Sequence, residues 1–175
     1  SPNGEWVATA GRDRVARLFE ARTGREALVL SEHKSLISCT AFSPDGRRLI
    51  TASADGTSRI YDSRTGDPLA VLPGHEGSVE LAGFAGNGRQ VFTVSSDRRV
   101  RLWRLEAGRI RRILPSGEPK AAAVRPDGLR IASSVLDGAV QLSDGQDGRP
   151  LATLGSPEGS SATHLLFSPD GRYLA

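Results

Sequence analysis

The sequence predicts an all-β fold, a β-propeller of four-stranded antiparallel blades with about four blades' worth of chain, and three registers of turns predict it. Asn3-Gly4, Asp45-Gly46, Asn87-Gly88, Asp127-Gly128 and Asp170-Gly171 recur at steps of 42, 42, 40 and 43 residues. Self-similarity at such a period is the mark of a repeat architecture. Asp13, Asp55, Asp97 and Asp137 follow the first four of those turns, each ten residues on. Thr23-Gly24, Thr65-Gly66, Ala107-Gly108 and Asp147-Gly148 keep the same beat. A unit punctuated by several glycine turns is a set of short strands, each ended by a reversal.

In the best-formed unit, residues 36–42 are an apolar run that stops at Ser43-Pro44-Asp45-Gly46, where proline and Asp-Gly favour a tight turn. Call that run strand a. Residues 47–52 carry Leu49, Ile50 and Thr51 as strand b, and Asp55-Gly56 reverses the chain into strand c at 57–61. Arg64-Thr65-Gly66 turns it again into strand d at 68–72, before Pro73-Gly74-His75 leads to the next unit. Strand a recurs at 78–84, 119–124 and 161–167, and strand c at 15–19, 100–103 and 139–143. No segment shows a helical period. A sheet this small leaves both faces wet, so each blade must pack on its neighbours, and a ring satisfies the end blades too. The whole of 1–175 is expected to be one propeller segment, with repeats at about 1–42, 43–84, 85–124 and 125–167 and a fifth opening at 168–175.

Composition excludes several classes. With 38% apolar and 25% charged residues, the chain is neither disordered nor fibrous. It has no apolar stretch near eighteen residues and no signal-peptide pattern at residues 1–5, so no membrane association is expected. One cysteine, Cys39, allows no internal disulfide, and a cytoplasmic location is expected. Net charge is only +3, and the arginines alternate with apolar residues at strand spacing. Nucleic acid is therefore not an expected partner. The absence of methionine leads to the expectation of a piece of a longer chain. Strand a at 161–167 could pair with strand b at 5–10 and close four blades, leaving 172–175 over. The favoured expectation is an arc of a larger ring, with a homodimer as the option if four blades do not close alone.

These residues resemble a known family, the WD-repeat β-propellers. Gly74-His75, Ala82-Gly83-Phe84, Ser95-Ser96-Asp97 and Val100-Arg101-Leu102-Trp103 are similar to its Gly-His, Asp and Trp-Asp signatures, and Phe42-Ser43-Pro44-Asp45-Gly46 and Phe167-Ser168-Pro169-Asp170-Gly171 match its turn. The resemblance implies a rigid ring that holds peptides or proteins on its faces, usually without catalysis. It also implies a hydrogen-bonded tetrad in which His75, Ser95, Asp97 and Trp103 are one set. His33, Ser53, Asp55 and Tyr61 are a second, with tyrosine at the aromatic position and Glu32 before the histidine in place of glycine. A buried carboxylate needs donors, and imidazole, hydroxyl and indole supply them. The first unit keeps Asp13 but has Gly11 and Phe19; the fourth keeps Asp137 but has Val135 and Ser143. Those two are expected to lack the tetrad.

His75, Ser95 and Asp97 are also the residue types of a hydrolytic triad. The trio recurs at His33, Ser53 and Asp55, whereas a catalytic site does not recur per repeat, and no Gly-x-Ser-x-Gly elbow surrounds either serine. No enzyme is expected here. No zinc spacing, full calcium loop or phosphate-binding glycine loop occurs, so no metal or cofactor is expected. Loops on a rigid scaffold are the expected sites. The face carrying the d–a and b–c loops presents Arg12, Arg14, Lys34, Glu76, Arg98 and Arg99, which suit an acidic or phosphorylated partner. The expected function is thus a protein-interaction scaffold, the alternative being the regulatory propeller of a larger signalling enzyme whose catalytic domain lies elsewhere.

Overall fold

β-Branched and apolar residues between the glycine turns form strands throughout the computed structural model, which describes residues 1–85, 88–97, 99–106, 109–112, 122–125, 129–134, 139–145, 149–155, 165–168 and 170–175. Helices do not occur among these residues. The first sheet is three-stranded, in the order β1 (Trp6–Ala10), β2 (Ala16–Glu20) and β3 (Glu26–Leu30). The second contains β4 (Ile37–Phe42), β5 (Arg48–Ser53), β6 (Ser58–Asp62) and β7 (Pro68–Leu72), also in sequence order. The third runs β8 (Val79–Ala85), β9 (Gln90–Ser95), β10 (Arg99–Glu106) and β11 (Arg109–Arg112), and the fourth β12 (Ala122–Val124), β13 (Arg130–Ser134), β14 (Val140–Asp144) and β15 (Pro150–Leu154). Every register resolved is antiparallel, for example Leu49↔Tyr61 and Thr51↔Arg59 in the second sheet. The chain is an all-β propeller segment made of such meander blades.

The turns explain the period. Ser43 Oγ donates to Asp45 Oδ1 at 2.5 Å and accepts from Arg48 N at 2.9 Å, and Gly46 follows at φ +70°, a region open to glycine at no steric cost. Ser168, Asp170 and Gly171 repeat this turn, with Ser168 Oγ donating to Asp170 Oδ1 at 2.5 Å and accepting from Tyr173 N at 3.0 Å.

Two compact units divide the chain, Ser1–Phe84 with Ser95–Asp97, and Ala85–Val94 with Arg98–Ala175. In the first, Ala16, Leu18, Leu30, Ile37, Leu49 and Tyr61 form one buried cluster contributed by the first two sheets. Fully burying one such leucine contributes about 1.5–3 kcal/mol. In the second, Ala123, Ala132 and Leu165 are buried, with Val140, Phe167 and Leu174 packed on them. The C-terminal end forms its own hairpin: Phe167 bridges Leu174, and Leu166 and Ala175 exchange both backbone bonds at 2.8 and 2.9 Å. Residues 6–10 form β1, paired with β2.

Candidate functional site

Among the described residues, two repeats hold a carboxylate buried against a histidine. His33 Nδ1 lies 2.8 Å from Asp55 Oδ2, and His75 Nδ1 lies 2.8 Å from Asp97 Oδ2. In each pair the next residue's backbone N–H, from Lys34 at 2.9 Å or Glu76 at 3.1 Å, donates to the same carboxylate oxygen. Asp55 Oδ1 takes two more donors, Thr57 N at 2.9 Å and Thr57 Oγ1 at 2.6 Å. Each aspartate therefore pins the d–a loop of its repeat onto its own b–c turn.

The hydroxyls differ from the sequence expectation. Ser53 and Ser95 were placed beside the histidine and the aromatic ring; the structure puts Thr51 and Thr93 there. Thr51 Oγ1 lies 2.7 Å from His33 Nε2, and Trp103 Nε1 donates to Thr93 Oγ1 at 3.0 Å. Residues two apart on a strand share a face, so sequence spacing alone could not choose between them. The serines, at the strand ends, cap the turn: Asp55 N donates to Ser53 Oγ at 3.1 Å and Asp97 N to Ser95 Oγ at 3.2 Å.

Tyr61 departs as well. It is 1% exposed, and its hydroxyl lies close to the Arg59 and Glu32 side chains without a hydrogen bond of ordinary geometry. Burial, with the Glu32 carboxylate adding to it, pushes the phenol up to about 12. Glu32 itself accepts from Arg59 Nη1 at 2.7 Å. An unpaired buried hydroxyl costs roughly 1–3 kcal/mol, so Tyr61→Phe should raise stability by about 1 kcal/mol in urea unfolding. A loss of stability would show that the hydroxyl has a partner.

The aligned hydroxyl, imidazole and carboxylate of Thr51, His33 and Asp55 have the order of a hydrolytic relay, but Thr51 is 0% and His33 5% exposed, and no substrate reaches a hydroxyl so buried. Burial pushes the His33 pKa down, with Asp55 only partly opposing. Burial raises Asp55, but the donors from Thr57, Lys34 and His33 outweigh it and hold the carboxyl well below its usual range. A neutral imidazole against an ionised carboxylate is a structural pair. No group of three or more His, Cys, Asp or Glu able to hold a metal occurs among the described residues, nor does a helix long and apolar enough to cross a membrane.

The first repeat forms no such pair. Asp13 is half exposed and its carboxylate takes Arg17 Nη1 at 2.5 Å and Val15 N at 3.4 Å. Of the expected face, Arg12, Arg14, Lys34 and Glu76 are exposed, whereas Arg99 is half-buried within β10. Arg98 and Asp137 lie outside the described residues. Sequence reasoning missed one feature: Arg14 sits at φ +67°, the one non-glycine in that region among the described residues. Its signal was the alignment of Arg14 with Gly56, a turn glycine at φ +81°.

Repeated meander sheets joined by pinned loops define a β-propeller of the kind built from Asp–His-tied blades. The family model for the WD domain, G-beta repeat, matches residues 1–20, 24–62 and 66–104, and the chain belongs to that family. The crystal structure of the Myceliophteria thermophila Cps50 (Swd1) β-propeller domain is similar, with a TM-score of 0.85 over 99% of this chain at 17% identity. That similarity concerns the fold, and this chain spans 59% of that structure's length. Comparison with curated proteins gave no match.

Proposed function

We propose that this chain is a non-catalytic interaction scaffold that holds peptide segments of partner proteins on the end of the blades bearing the d–a and b–c loops. One observation carries the reading. The Asp55–His33 and Asp97–His75 pairs lock those loops in the second and third blades from within, while Lys34 and Glu76, on the locked loops, and Arg12 and Arg14, on the b–c turn of the first repeat, stay exposed. Rigid loops presenting side chains that have no packing duty are suited to recognition, and fixing them beforehand lowers the ordering cost of binding. WD-repeat propellers as a fold generally serve protein–protein interaction, which supports the same reading.

Panning a random peptide library against the chain tests it. The expected result is an enriched sequence whose synthetic peptide binds the chain, loses affinity with Lys34→Glu or Glu76→Arg, and keeps it with Arg22→Glu in the c–d turn. Failure to enrich any sequence, or binding sensitive only to Arg22, would overturn the assignment.

A further inference from the structure

We propose that the junction between the first two blades is an anion-binding notch, formed by Arg12, Arg14 and Lys34, that docks a phosphorylated serine or threonine of a partner peptide. The proposal rests on the scaffold reading above and names the chemistry of one site within it.

The two blade junctions of the first compact unit differ in a way that exposes this notch. At the second junction, the b–c turn of one blade meets the d–a loop of the next through two glycines. A Cβ on Gly56 would lie 3.0 Å from His75 O and 3.6 Å from Gly77 O. At the first junction the repeat register puts Arg14 in the place of Gly56 and Ser35 in the place of Gly77. The loops meet here too, since Ile37 N donates to Gly11 O at 3.1 Å. Where the second junction is closed by bare backbone, the first carries an arginine held in a conformation that costs a non-glycine residue roughly 1–2 kcal/mol. Strain of this kind concentrates at ligand clamps.

The charges at the junction are uncompensated. Arg12, Arg14 and Lys34 are exposed, and no hydrogen bond or ion pair ties up any of the three side chains among the described residues. The neighbouring acids are engaged elsewhere: Asp13 by Arg17, Glu32 by Arg59, and Asp55 by His33 and Thr57. Arginine forks match phosphate oxygens bidentately, and lysine adds a point charge. A phosphorylated side chain brings about −1.5 to −2 charges at neutral pH, which the three cations carried by these two adjoining loops can balance. A nucleic acid would need a longer basic track. Some of the other described arginines pair with carboxylates, as Arg25 does with Glu20, Arg130 with Asp144 and Arg172 with Asp170.

Fluorescence anisotropy on the full chain tests the notch, using a fluorescein-tagged degenerate pool of peptides with a central phosphoserine, the same pool with serine, and a single-stranded oligonucleotide. The phosphoserine pool should bind about tenfold more tightly than the serine pool, the factor expected of one charge-assisted bidentate contact. The preference should vanish in the Arg12→Gln, Arg14→Gly double variant. Arg14→Gly should at the same time melt higher, because glycine adopts φ +67° freely, so lost binding would not be lost folding. Equal binding of the two pools, a preference that survives the double variant, or oligonucleotide binding that is tighter and is lost in that variant would each overturn the proposal. If panned peptides still bind with no preference for phosphate, the notch fails and the scaffold reading stands; if they too fail, so does that reading.

Discussion

Asp55→Ala should cost about 3 kcal/mol and lower the melting temperature by roughly 6–12 °C. Four donors converge on this carboxylate: His33 Nδ1, Lys34 N, Thr57 N and Thr57 Oγ1. The imidazole is 1% exposed, so truncation strands a buried donor that water cannot reach, and the penalty for an orphaned buried group exceeds the net worth of the bond itself. The loss should extend to both loops, because the carboxylate is what ties 33–34 to 55–57. Asp13→Ala is the control. Asp13 holds the same place in its repeat but pairs on the surface with Arg17, and exposed pairs contribute little. Equal effects of the two substitutions in urea unfolding would sink the account.

The same pair predicts the acid response. His33 has its folded pKa depressed from the ordinary histidine value of 6.5, and Asp55 from the ordinary aspartate value of 3.8. A depressed folded pKa means that the unfolded chain takes up the proton first, so stability falls as pH falls through the unfolded value. The chain should therefore lose stability in two steps on acidification, the first around the ordinary histidine range and the second below the ordinary aspartate range. Asp55→Ala should remove the second step's contribution from this blade.

What the sequence showed and what it hid follow from the same geometry. Turns were legible because they demand specific residues: Gly46, Gly56 and Gly66 sit at φ +70°, +81° and +78°, and the strands fall between them. The Asp–His pairs were legible because the same spacing of 22 residues brings one loop to one turn in both sets. The choice between Thr51 and Ser53, or Thr93 and Ser95, was not, since each pair shares a face and depends on the diagonal reach of a ring across strands. Tyr61 was read as a substitute for tryptophan, yet its oxygen has no bond to correspond to the one Trp103 Nε1 donates to Thr93. The closure of the chain on itself depends on long-range pairing, which no local pattern encodes.

Gly77→Ala should be the second large effect, a loss of about 2 kcal/mol from overpacking alone. The loop at 75–77 lies between two b–c turns, its own at 96–97 and the preceding blade's at 54–56. A methyl at Gly77 would meet Ser96 Oγ at 2.5 Å, Asp97 N at 2.8 Å and Ser96 C at 3.2 Å. The serine hydroxyl can rotate away; the Asp97 backbone cannot, because its N–H is held by Ser95 Oγ and its carboxylate by His75. The chain must therefore move the loop, and the loop carries His75, so the substitution should also loosen the Asp97 pair from the outside. Gly56→Ala presses on the same loop from the other side, against His75 O at 3.0 Å, and adds the strain of φ +81°. Since both act on one loop, the double variant should cost less than the sum of the two singles, the loop once displaced having already yielded room. Thermal melts of the four proteins read this directly: additive losses would show that the two turns press on independent parts of the blade junction, and an unchanged melting point for Gly77→Ala would show that the loop is not clamped at all.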